Sequence, residues 1–142
     1  MKNFFAVIPS VLYLIVGVIS LTMAQKSLFA INFLPFHEHA AGGSFNALSK
    51  GLQQVILALM ETTGLGFLIA GILLILSPLL FIFKAGTLVK IEIPSLCALY
   101  SLGLCLTNLR FHRNTGADTP WKGSLIAAVL IIVGIVLSSF SF

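Results

Sequence analysis

Twenty consecutive residues from Phe4 to Met23 carry no charge, and three more long apolar stretches follow: Leu52 to Phe83, Ile91 to Leu109 and Ser124 to Phe142. About 20 apolar residues in a helix cross the roughly 30 Å hydrocarbon layer of a bilayer. Inside that layer each backbone N–H and C=O has to be satisfied within the protein, which these runs achieve as helices. The pattern predicts an all-α, integral membrane four-helix transmembrane bundle. It forms one domain, 1–142, with helices over about 4–23, 52–83, 91–109 and 120–142.

The composition agrees. Hydrophobic residues make up 58% of the chain and charged residues 8%, and the mean hydropathy is +1.11. A soluble domain carries about 25% charged residues, so this inventory cannot build a water-facing shell, and 142 residues leave no room for a separate soluble catalytic domain. The formal charge of +4, from eight basic and four acidic residues, reflects a shortage of acids. It forms no basic patch for nucleic acid. Lys2 and Thr22-Met23-Ala24 imitate a signal peptide, but the apolar run exceeds the usual core of about 7 to 15 residues, so a membrane span is expected instead.

The second stretch is longer than a membrane is thick: 32 residues make about 48 Å of helix. Taking Lys84 as its far boundary and counting back about 20 residues puts the near hydrocarbon edge around Gly64. Glu61 is then expected at headgroup level, with Leu48 to Met60 as an interfacial extension. It is either a functional carboxylate or an interfacial or helix-pairing one. Pro78 should open a kink late in this helix. Glu92 and Pro94 suit the first turn of the third helix, and Thr119-Pro120-Trp121-Lys122 reads as the start of the fourth, with Thr119 as N-cap and Pro120 at the first helical position.

Four crossings put both termini on one side and the two larger loops, 24–51 and 110–123, on the other. The loop side then holds Lys26, Lys50, Arg110, Arg113 and Lys122, against Lys2, Lys84 and Lys90 on the terminal side. By the positive-inside rule the larger loops would be cytoplasmic. All three histidines, both arginines and three of the four acidic residues lie on or near that same side, giving a polar face at headgroup level.

The first loop is not an ordinary linker. Ser27 to Phe36 (SLFAINFLPF) is too short to span and too apolar for water, so it should lie in the interface or dip back into the bundle. His37-Glu38-His39 follows, then Ala40-Ala41-Gly42-Gly43. In extended backbone His37 and His39 would share a face and be able to chelate one metal, with His112 from the other loop completing the site; on a helix they would stand about 200° apart. Ordinary loop hydrogen bonding is the alternative. Cys97 and Cys105, eight residues apart, are separated by about 12 Å of helical rise and cannot form a disulfide.

Cys97, Tyr100, Ser101, Cys105 and Asn108 form a polar stripe on the third helix. It points to the bundle interior, where it either joins helices through hydrogen bonds or lines a ligand cleft. Gly66-x-x-x-Ala70 on the second helix permits close approach by a neighbour. The phosphate-loop, dinucleotide-binding, nucleophile-elbow and H-E-x-x-H patterns are all missing from the sequence. So is the Glu-Arg-Asn cluster that glutathione-utilising four-helix membrane enzymes carry on their second helix.

Two segments, LPFHEHAAGGSFNALSKGLQQVILALMETTGLGFLIAG from Leu34 to Gly71 and TNLRFHRNTGADTPWKGSL from Thr107 to Leu125, together cover about 40% of the chain. They resemble a family of small bacterial four-helix inner-membrane proteins whose activity is uncharacterised; the T-G-A-x-T-P-W portion is the more specific element. In size and helix count the chain is also loosely similar to DoxX-like proteins, which would imply a redox-linked accessory role. Neither resemblance carries a catalytic residue across.

The functional expectation is therefore a non-enzymatic membrane protein, either an accessory subunit or a small-ligand or lipid binder, using the polar loop face. Glu61, Asn108, Arg110, Arg113 and Trp121 are the candidate ligand contacts, with the arginine forks suited to anionic groups. The alternative is a metal- or haem-dependent redox protein using His37, His39 and His112. Membrane lipids, a membrane-protein partner and a second copy of the chain are the expected partners. The sequence identifies no cofactor.

Overall fold

The computed structural model describes residues 2–82, 86 and 88–140, with side chains for 7–79, 86 and 90–140. Lys84, expected to mark the far edge of the second span, lies outside the described residues, as do Phe83 and Phe142. Four long helices run up and down: α1 (Lys2–Leu28), α3 (Lys50–Ile82), α4 (Ile93–Thr115) and α5 (Trp121–Ser139). A short helix, α2 (Pro35–Ala41), and a 3-10 turn (Phe45–Ala47) stand between α1 and α3, and a wide π-type turn (Leu88–Glu92) leads into α4. All four long helices are long and apolar enough to cross a membrane, and the protein is an all-α, multi-pass bundle.

The bundle is apolar outside as well as inside. Val18, Leu65, Leu99 and Leu106 are each more than half exposed, which suits lipid as the surrounding solvent. Inside, α1 packs on α3 and α5, α4 packs closely on α5, and the seam between α3 and α4 is thinner. The helices thus form a ring, α1–α3–α4–α5. Toward the termini the ring is filled by Tyr13, Val16, Ala70, Leu74, Cys97, Ala98 and Ile131.

Glycines set the close approaches. A Cβ on Gly17 would stand 2.7 Å from Ile75 Cγ1 and 3.1 Å from the Gly71 carbonyl, so α1 and α3 meet nearly backbone to backbone. Gly64 abuts Leu28, the last residue of α1, and a Cβ there would lie 2.8 Å from Leu28 Cγ. This notch explains why α1 runs five residues beyond Met23: its final turn has a packing site on α3. It also shows that the α3 segment 50–63 projects past the end of α1, as the overlong second stretch implied. Gly66 and Ala70 do receive α4, through Tyr100 and Cys97; the Cys97 thiol points at the Ala70 carbonyl at 3.9 Å. Both cysteines are free and buried.

Two local expectations change. The third span does not stop at Leu109: α4 continues through Arg110 to Thr115 and ends on Gly116, whose φ of 70° and N–H bond to the His112 carbonyl (2.8 Å) form a left-handed cap. Residues 110–115 are therefore helical rather than loop. The N-cap of α5 is Pro120 rather than Thr119. The Thr119 hydroxyl instead donates 2.8 Å to the Asn108 carbonyl, tying the α5 entrance to α4. Pro78 lies inside α3, which runs on to Ile82.

The first loop is ordered by its own residues. Pro35 sits in the first turn of α2, and Gly42 (φ 65°) closes it. Phe45 is buried and meets Phe33 edge to face at 5.1 Å. The Gln53 amide donates to the carbonyls of Phe45 and Leu48, both at 3.0 Å, fastening this turn to α3. Phe29 and Ile31 are 78% and 88% exposed, a position suited to the membrane interface. Leu34 and Phe36 turn inward, so the segment both faces outward and covers the bundle.

Candidate ligand cavity

The half of the ring nearest α2 is hollow. A cavity of about 390 Å³ lies between all four long helices and beneath α2, within the roughly 300 to 1,000 Å³ range of small-molecule sites. Along α1 its wall runs from Ser27 to Val16, eleven residues or about 16 Å of rise. Along α4 it runs from Asn108 to Tyr100, about 12 Å. The space is elongated along the bundle axis, with Leu34, Phe36 and His37 closing the loop end.

Its walls are mainly hydrocarbon and aromatic, with Ile19, Met23, Phe67, Leu104, Ile126 and Leu130 among them. The polar stripe on α4 faces inward as its spacing required: Cys97 and Cys105 are buried, and Tyr100, Ser101 and Asn108 line the cavity. Tyr100 donates its hydroxyl to the Thr63 carbonyl at 3.2 Å, and its ring meets Phe67 edge to face at 5.9 Å. Thus the thin α3–α4 seam is closed by two aromatic rings that also form the cavity wall.

Among the polar wall groups, Thr63 and Ser124 donate to carbonyls of their own helices, Leu59 at 2.9 Å and Pro120 at 3.4 Å. Among the described residues no such partner occurs for the hydroxyls of Ser20, Ser27 and Ser101 or the amide of Asn108. His37 Nδ1 is buried without a hydrogen-bond partner, while the ring packs against Phe36 at 4.1 Å and Phe33 at 6.0 Å. Burial lowers the His37 pKa from its ordinary value of 6.5, favouring the neutral imidazole.

The sequence candidates divide sharply. Of Glu61, Asn108, Arg110, Arg113 and Trp121, Asn108 alone lines the cavity. Glu61 is exposed, one position past the buried, inward-facing Met60. Arg110 and Arg113 are exposed on the α4 extension, and Trp121 is half-buried beside Lys122, whose Nζ lies 5.7 Å from the ring centroid. Because α2 is helical, the shared face that extended backbone would give His37 and His39 does not form: His37 lines the cavity and His39 is exposed. His112 Nδ1 donates to the Ala117 carbonyl at 2.6 Å. Among the described residues no group of three His, Cys, Asp or Glu is placed to hold a metal ion.

Sequence reasoning overlooked the contribution of α1. Ser20 and Ser27 are seven residues apart, two turns on one face, and that spacing was the available signal. Comparison of the chain with protein-family models, curated proteins and solved structures gives no match.

Proposed function

We propose that this protein is a non-enzymatic binder of a small lipid-soluble ligand, held in the cavity between its four membrane helices, and that it serves as an accessory component of a membrane. The observation that carries the reading is the elongated, mostly apolar and partly open cavity of about 390 Å³ lined by α1, α3, α4, α5 and the α2 segment. Unfilled space between packed helices forfeits contacts, and a guest of matching shape would restore them. The anion-binding use of Arg110 and Arg113 is set aside, since both are exposed and neither reaches the cavity wall. The dispersal of His37, His39 and His112 likewise lends no support to a shared metal or haem.

The resemblance of segments 34–71 and 107–125 to small bacterial membrane proteins suggests a bacterial inner membrane. The excess of basic residues on the larger loops favours a cytoplasmic position for them, with α2 facing the cytoplasm.

The test uses a tryptophan reporter. Trp121 is the sole tryptophan, so Leu104→Trp in a Trp121→Phe background places one indole in the cavity wall. A brominated long-chain hydrocarbon is expected to quench it saturably. Quenching that rises without saturation, as for a lipid-facing indole, would count against the reading.

A further inference from the structure

The polar groups left unspent in the cavity are all uncharged, and we infer that its ligand is a neutral amphiphile: a long apolar body ending in a hydroxyl or carbonyl, seated with that end among Ser27, His37 and Asn108 under α2. This rests on the cavity being a ligand site.

Among the described residues no Lys, Arg, Asp or Glu lines the cavity. A buried carboxylate, phosphate or ammonium would lack a counter-charge there, and an unpaired buried ion is costly. The same wall is too polar for a pure hydrocarbon. Ser20 and Ser27 are buried, at 9% and 6% exposure, and together with Ser101 and Asn108 they offer both donors and acceptors that the protein does not use itself. Their polar atoms are open to the cavity, where a hydroxyl or carbonyl of the guest can pair with them.

The gradient along the cavity orients it. His37, Asn108, Ser27 and Ser124 belong to the α2 end, Ser20 and Ser101 stand deeper, and Val16 and Leu130 lie at the far end. A neutral imidazole supplies one donor and one acceptor, and the Asn amide supplies both. A hydroxyl or carbonyl oxygen meets either, and the chain behind it lies against hydrocarbon. Such a molecule partitions into the bilayer without carrying a headgroup charge.

The test uses the intact protein in lipid nanodiscs with a photoreactive sixteen-carbon alcohol. Saturable crosslinking is expected on inward residues such as Val16, Leu104 and Leu130. Unlabelled hexadecan-1-ol should compete roughly tenfold better than hexadecyl phosphate or hexadecane, the size expected from about one hydrogen bond gained or one charge left unpaired. Ser27→Ala with Asn108→Leu should lower alcohol labelling several-fold, and the competition series on the unaltered protein decides the matter even if that variant does not fold. Equal or better competition by hexadecyl phosphate would overturn neutrality, and equal competition by hexadecane would overturn recognition of the polar end. Both outcomes leave the cavity reading intact. Absence of saturable labelling would overturn the cavity reading itself.

Discussion

Tyr100 of α4 lays its ring in the space that a side chain at Gly66 of α3 would need: a Cβ there would stand 2.7 Å from Tyr100 Cζ and 3.0 Å from Cε2. The ring is anchored by its hydroxyl on the Thr63 carbonyl and closes the thinnest seam of the bundle. Gly66→Ala should force the ring to move and cost about 1 to 3 kcal/mol, read as reduced resistance to unfolding in detergent. Because the clash is with one side chain, adding Tyr100→Ala should make the two losses clearly less than additive. Additive losses would show that the pair is not in contact.

Thr119 is expected to matter through α4 rather than as a cap. Thr119→Val removes its hydroxyl bond to the Asn108 carbonyl and should cost about 1 kcal/mol, whereas Thr119→Ser should retain most of the stability. If Ser and Val behave alike in thermal unfolding, the hydroxyl does not hold the α4–α5 corner.

His37 gives the loop end a pH dependence. Its pKa is lowered by burial from 6.5, so below that pH the unfolded chain takes up a proton that the folded chain refuses. Stability should be full above 6.5, decline as pH falls through 6.5 toward the lower folded value, and level off beneath it. His37→Phe should remove that component, leaving a shallower dependence when melting is followed from pH 8 to 5. Parallel curves for the two proteins would place the titrating group elsewhere.

The four spans were legible because lipid imposes one requirement on a whole segment: uncharged length. The inward face of α4 was legible for a similar reason, since Cys97, Tyr100, Ser101, Cys105 and Asn108 repeat at helical spacing. What escaped was set by contacts between segments. Helix α1 continues to Leu28 because Gly64, 36 residues later, leaves a notch for it. The Thr119 hydroxyl leaves its capping role because the Asn108 carbonyl is within reach. Charges drew attention to Glu61, Arg110 and Arg113, yet a bilayer-embedded cavity is built from serines and an amide among hydrocarbon side chains, which composition does not mark. Helicity at His37-Glu38-His39 likewise depends on Pro35 and Gly42 acting as start and stop, and it separates two residues that look paired in the chain.

The central claim is that the bundle holds a guest, and native mass spectrometry of the protein ejected directly from membrane vesicles tests it most directly. One non-covalent adduct per protomer is expected, its fragmentation that of a neutral lipid-soluble molecule. Ser101→Phe, which fills the cavity from α4, should lose the adduct while keeping its helical circular dichroism. Bare protein from unaltered vesicles, or an adduct retained undiminished in Ser101→Phe, would contradict the account.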